Sequence, residues 1–157
     1  MIKFDNLQQV LEEYGNVIAE QYKSNLKANG HNATGKLINS ITSHITVNGN
    51  EYAIELTLED YYKYVEEGRR PGKFPPVDKI LQWIKVKHIL PTPINGKLPT
   101  EKQLAFLISR KIAEKGTKGT YDLEKVMDNT INEWDEKITD ALDMDVMSCI
   151  DEIMLVL

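Results

Sequence analysis

Ile41-Thr42-Ser43-His44-Ile45-Thr46-Val47-Asn48-Gly49-Asn50-Glu51-Tyr52-Ala53-Ile54-Glu55-Leu56-Thr57-Leu58 is the stretch that decides the fold. Ile41, Ser43, Ile45 and Val47 alternate with polar neighbours, and Tyr52, Ile54, Leu56 and Leu58 alternate again after Asn48-Gly49. A period of two puts every second side chain on one face of a strand, and an Asn-Gly pair tolerates the positive φ angles of a tight hairpin. The stretch predicts two antiparallel strands with one buried face.

Upstream, the period changes. Leu7, Val10, Leu11, Tyr14, Ile18, Tyr22 and Leu26 recur at steps of three and four, the spacing of one helix face. Asp5 or Asn6 suits the N-cap and Asn29-Gly30 the left-handed stop, with Gly15 a weak point midway. Residues 34–41 read as a turn leading into the first strand.

Downstream, residues 61–68 read as a short helical turn. Two glycines and three prolines between Gly68 and Pro76 make a loop of restricted shape. Pro76 opens a helix carrying Ile80, Leu81, Trp83, Ile84 and Val86. Residues 89–99, with three prolines and Asn95-Gly96, form a long loop with a small hairpin. Thr100 and Gln103 match a capping box for a helix bearing Leu104, Leu107, Ile108 and Ile112, which Gly116 ends. The last segment steps by three or four through Leu123, Met127, Ile131, Trp134, Ile138, Leu142, Val146, Cys149, Ile153 and Leu157. It is one helix of about 50 Å or two helices broken near Asp143. The fold class is α+β: an N-terminal helix packed on a small antiparallel sheet, followed by three or more helices including a long C-terminal one.

The chain has 157 residues, 41% hydrophobic and 27% charged, which suits one globular core. No run approaches the roughly 20 apolar residues of a membrane span, and the start lacks a signal-peptide core. Retention in the cytosol, with no membrane partner, is the expectation. Cys149 stands alone, so it can form neither an intrachain disulfide nor a thiolate cluster, and it reads as a small apolar filler. The net charge of −5 is unevenly spread. Residues 61–120 carry 13 basic and 5 acidic side chains, whereas residues 121–157 carry 2 basic and 11 acidic ones. Such asymmetry suits either nucleic-acid contact or complementary faces between copies of one chain.

Candidate chemistry is sparse. His31, His44 and His88 are scattered without metal-ligand spacing, and no phosphate-binding or nucleophile motif is present. Glu66 and Glu67, being adjacent, point in different directions; an ion pair with Arg69 or Arg70 is their expected use. Asp140, Asp143, Asp145, Asp151 and Glu152 lack the spacing of a calcium loop and read as a solvated helix face. A metal-dependent enzyme using Glu66 with His44, or the acidic tail, ranks last. Neither metal nor cofactor is expected, and the chain is not expected to be an enzyme. Arg69, Arg70 and Lys73 share a loop with Phe74, and Lys79, Lys85 and Lys87 follow, so the region 69–87 could grip a phosphate backbone or an acidic neighbour. Trp83 and Trp134 read as core, and Phe74 as an interface anchor.

Thr34-Gly35-Lys36-Leu37 followed by Ser40-Ile41 resembles the T-G-x-L-x-x-S-I stretch of small phage minor tail proteins. Tyr64-Val65-Glu66-Glu67-Gly68 follows at the distance seen in that family, with Arg69 where Thr is usual. Arg70 to Pro76, the helix with Trp83-Ile84, and Arg110-Lys111-Ile112-Ala113 with Lys115-Gly116-Thr117 are similar to the form found in phages of Bacteroides-like hosts. The resemblance covers roughly residues 5–135. It implies a bacteriophage tail-completion (head–tail joining) protein: a structural part of the virion, assembled in the host cytoplasm, with no cofactor and no catalysis. It implies a ring, of six copies, at the neck or head-proximal end of a tail. Partners would be other copies, neighbouring neck and tail-tube proteins, and, without sequence reading, passing DNA. On this view residues 1–157 are one domain, with 140–157 a C-terminal extension beyond the resemblance. Within it, Arg69, Arg70, Lys73, Phe74 and Lys79 are the candidates for a subunit interface or DNA channel. The motif residues Thr34, Gly35, Leu37, Ser40, Tyr64, Val65, Glu66, Gly68, Pro76 and Trp83 complete the candidate set. The alternative is a small DNA-binding module built on 69–87.

Overall fold

The computed structural model describes residues 4–156. Met1–Lys3, part of the start read above, and Leu157, the last residue of the apolar series, lie outside the described residues. Helix α1 (Asp5–Ala28) leads to a short helix α2 (Lys36–Ser40) and a hairpin of β1 (Thr42–Asn48) and β2 (Glu51–Thr57). Helix α3 (Tyr62–Glu66), strand β3 (Gly68–Arg69) and helix α4 (Val77–Val86) follow. Helix α5 (Glu101–Lys115), strand β4 (Thr117–Lys118) and helix α6 (Asp122–Val156) complete the chain. The architecture is the expected α+β arrangement.

The hairpin pairs as its alternation requires, with Ile45 opposite Ile54 and Asn48 opposite Glu51. That register puts the two-residue turn on Gly49-Asn50, one residue beyond the Asn-Gly signal, with Gly49 at φ +62°. Tyr52, Ile54, Leu56 and Leu58 face inward. Helix α1 lies across this face, and Gly15 is the point of closest approach. A Cβ there would lie 3.0 Å from Ile54 Cγ2 and 3.1 Å from Ser43 Cβ. The glycine that weakens the helix locally therefore lets helix and hairpin meet.

Residues 36–40 form a helical turn rather than continuing toward the strand. Gly35 takes φ +74° and its carbonyl accepts from the Asn39 nitrogen at 2.9 Å, which starts the turn. Leu37 and Ile38 thereby join Tyr22, Leu26 and Ile41 in the core. Tyr22, Leu26 and Ile41 are fully buried, Leu26 and Ile41 each worth roughly 1.5–3 kcal/mol of transfer free energy.

Helix α6 is a single unbroken helix of 35 residues, about 52 Å long, without a break near Asp143. Its first two thirds run antiparallel to α1, and the two helices are tied at both ends. At one end Asn29 Nδ2 donates to both carboxylate oxygens of Asp122, at 3.0 and 2.8 Å. At the other, Asp145 accepts from the backbone nitrogens of Asn6, at 3.2 Å, and Leu7, at 2.8 Å. Asp145 is thus buried and caps α1 from across the molecule, which corrects both its reading as a solvated acid and the expectation of a cap from Asp5 or Asn6. Burial alone would raise its pKa, but the hydrogen bonds from Leu7 and Asn6 prevail and hold it below the ordinary Asp value.

The face that α6 buries is rotated from the expected stripe. Val126, Thr130, Trp134 and Ala141 are buried, with Ile138 half-buried between them, whereas Met127, Ile131, Leu142, Val146 and Ile153 remain exposed. Trp134 stacks on Tyr14 at a centroid distance of 5.0 Å, and the Tyr14 hydroxyl bonds Thr130 Oγ1 at 3.1 Å. Trp134 is therefore the core residue it was read to be.

Glu66 corrects its expected ion pair with Arg69 or Arg70. It is buried, and its Oε2 accepts from the Leu123 nitrogen at 3.0 Å, capping α6. Its other oxygen faces the core near the fully buried Tyr22 hydroxyl. Just beyond it, β3 pairs with β4, Arg69 opposite Thr117, in a strand pair that the loop reading of 68–76 missed. Gly68, Gly116 and Gly119 make this crossing: an added Cβ on any of them would overlap the backbone oxygen of Thr117, Arg69 or Glu66 respectively. Past the crossing, α4 and α5 pack on each other around Ile84, Ala105 and Ser109. Both halves of the Thr100–Gln103 capping box are formed, and Ile94 bridges Lys97 around Asn95-Gly96 as the small hairpin.

Candidate functional site

Six of the ten motif residues meet at one cleft of about 660 Å³ between the start of α2, the start of α3 and one side of α4. Thr34, Gly35 and Leu37 form one wall, Tyr61 and Tyr64 the next, and Pro76, Lys79, Ile80 and Trp83 the wall opposite. Arg69 enters from β3. Local sequence explains each placement. The left-handed Gly35 turns the chain so that Thr34 faces the cleft while Leu37 reaches the core. Pro76 sets the start of α4, which places Lys79, Ile80 and Trp83 along its exposed side.

Three large aromatic rings remain partly open here: Tyr61 and Trp83 are each 39% exposed and Tyr64 58%. Trp83 is thus a cleft residue rather than the core residue its helix pattern suggested. The charged lining is mainly cationic, with Lys36, Arg69 and Lys79 against Glu59. The Arg69 guanidinium lies 5.5 Å over the Tyr64 ring and donates to the Lys73 carbonyl at 3.3 Å, which fixes its position. Burial and then Glu59 push the Tyr61 phenol up, so the ring stays neutral at physiological pH. At the edge of the cleft, Lys87 Nζ donates to the Gly30 carbonyl at 2.7 Å, tying the end of α4 to the stop of α1.

The other sequence candidates lie elsewhere. Ser40 Oγ donates to the Leu37 carbonyl at 2.8 Å and accepts from the Glu59 nitrogen at 3.1 Å, joining α2 to the end of the hairpin. The Val65 carbonyl accepts from Thr120 at 3.0 Å, so Val65, Glu66 and Gly68 build the junction with α6. Arg70, Lys73 and Phe74 are exposed but do not line the cleft. Phe74 packs on Phe106 at 5.5 Å. That pair borders a second open apolar surface on α5 and the loop before it, lined by Ile94, Leu98 and Phe106 with Lys97 and Lys102. His44 pairs across the hairpin with Glu55 at 3.2 Å, far from the buried Glu66. Among the described residues no group of three or more His, Cys, Asp or Glu is arranged to hold a metal ion. None of the described helices is long and apolar enough to cross a membrane.

Comparison of the chain with protein-family models, with curated proteins and with solved structures finds no match.

The cleft offers cation–aromatic and apolar contact. Its lining suits an acidic partner with bulky apolar side chains. Tyr61, Lys36 and Ile80 are cleft residues that the sequence did not mark as site candidates, although Lys36 lies in the quoted motif and Ile80 in the apolar pattern of α4. Each sits within four residues of a motif residue, which is the signal that could have found them.

Proposed function

We propose that this chain is a non-enzymatic subunit of a ring in a phage tail or neck, one that completes the tail and joins it to the head. The observation that carries this reading is the meeting of Thr34, Gly35, Leu37, Tyr64, Pro76 and Trp83, six of the ten motif residues of the phage-tail resemblance, at one cleft. Residues brought together from three separate elements into an open aromatic and cationic surface are arranged for contact with another macromolecule. The uneven charge supports the same reading: the basic stretch 61–120 and the acidic stretch 121–157 suit a contact in which each copy offers different faces to its two neighbours. Such a ring would sit in the virion after assembly in the host cytoplasm, beside neck and tail-tube proteins, with DNA passing through unread.

The test is the mass of the purified protein by light scattering across concentration and salt, paired with particle assembly in a deletion mutant. A ring-sized species that dissociates as salt screens its charges supports the reading. Heads and tails that still join in the deletion mutant would sink it.

A DNA-binding module on 69–87 is the second reading, favoured by Arg69 and Lys79 sharing the cleft with Trp83. It requires affinity that falls steeply with salt, so an absence of DNA binding at low salt removes it. Two of its cations are already engaged, Arg69 with Tyr64 and Lys73, and Lys87 with Gly30.

A further inference from the structure

The two ties between α1 and α6 stop at Asp145, and the helix continues to Val156. These last 11 residues extend about 16 Å beyond Asp145. An isolated helix tip in water is stable when its apolar side is covered, yet here that side is open. Met147 is 59% exposed, Ile153 58% and Met154 67%. Asp140, Asp143 and Asp151 lie on the same surface as Met144 and Met147. The tip therefore presents methionines flanked by carboxylates.

The geometry points to the cleft of a second copy as the binding place of this tip. Two complementarities select that occupant. Lys36, Arg69 and Lys79 of the cleft oppose Asp151 of the tip and Asp143 just before it, and the rings of Tyr61, Tyr64 and Trp83 oppose the thioethers of Met147 and Met154. Sulfur–aromatic contact adds to apolar burial, and flexible methionines adapt to an irregular wall. The tip cannot fill its own cleft, because it continues a helix whose first two thirds are fixed along α1. Pairing of two tips would set like charges against each other. What remains is a tip-into-cleft contact, in which each copy gives one surface and receives the other. A contact of that kind closes into a ring or runs on as a filament.

This inference rests on the ring reading and names the contact that would build it. Its test is a charge exchange. Lys36→Glu with Lys79→Glu makes the cleft acidic, and Asp143→Lys with Asp151→Lys makes the tip basic; all four residues are exposed, so the fold is retained. Light scattering at low salt reads the result. Wild type forms a multiple of 18.0 kDa, each double variant alone falls to the monomer, and an equimolar mixture of the two regains the large species. Variants that assemble like wild type overturn the contact while leaving the ring reading intact. So does loss of assembly only with Lys97→Glu and Lys102→Glu, which would move the contact to the α5 surface. A wild-type chain that stays monomeric at every concentration also overturns it, and particle assembly in the deletion mutant then decides the ring reading separately.

Discussion

The carboxylate of Asp145 lies 2.8 Å from the backbone nitrogen of Leu7, across a sequence separation of 138 residues. A helix start leaves its first amides without intrahelical partners, and here the partner comes from the far end of the chain. Asp145→Ala is expected to cost about 1–2 kcal/mol in urea unfolding at pH 7. The folded pKa lies below the ordinary value of 3.8, so this contribution is present in full above that pH and is lost as the pH falls through the lower folded value. The difference between wild type and variant should therefore shrink toward pH 2. A difference that stays constant with pH would show that the carboxylate charge plays no part.

Tyr22 titrates in the opposite sense. Burial first, and then the Glu66 carboxylate, push its phenol well above 10.0. Stability is unaffected by this group below pH 10 and declines as the pH rises toward the folded value, because only the unfolded chain ionises readily. By ultraviolet titration, one of the seven tyrosines should fail to ionise until the chain unfolds, and Tyr22→Phe should move the alkaline transition upward. Seven tyrosines ionising together in the folded chain would refute this.

Gly15 is the closest point between α1 and the hairpin. Leucine there gains helix propensity but meets Ile54 and Ser43, and overpacking of this kind costs about 1–3 kcal/mol. Thermal melting checks it; an unchanged or raised Tm means that the hairpin can retreat.

The two tryptophans should separate cleanly. Trp134→Ala opens the stack on Tyr14 and is expected to cost about 3–5 kcal/mol. Trp83→Ala, at the cleft surface, should change stability by only about 1 kcal/mol and act instead on assembly. Equal losses of stability would return Trp83 to the core.

The parts of the fold that follow from near neighbours were legible in the sequence. The hairpin shows its period of two, α5 its capping box, and α3 and the stop of α1 their local signals. What escaped depends on distant partners. Nothing near Glu66 or Asp145 in the chain tells that each caps a helix far away in sequence, so both read as surface acids. The inner face of α6 was misread because the helix is apolar on more than one side, and periodicity alone does not say which side α1 covers. At residues 34–41 a five-residue helix is too short to show a period. The site was legible as a set of motif residues and as a basic loop. The meeting of six motif residues and Arg69 in one cleft, and the displacement of Arg70, Lys73 and Phe74 from it, depend on the β3–β4 crossing, whose two-residue strands leave no pattern to read.

Because α1 is fastened to α6 at Asn29–Asp122 and again at Leu7–Asp145, its length is held against a fixed gauge. A residue inserted anywhere in α1 must break one fastening, and a residue lost from α6 before Asp145 must do the same. After Asp145 no such gauge applies, and the helix can grow or shrink by a turn without disturbing the body. Within these two helices, changes of length should therefore be rejected between the fastenings and tolerated after Asp145, so the reach of the tip can be retuned while the core stays as it is.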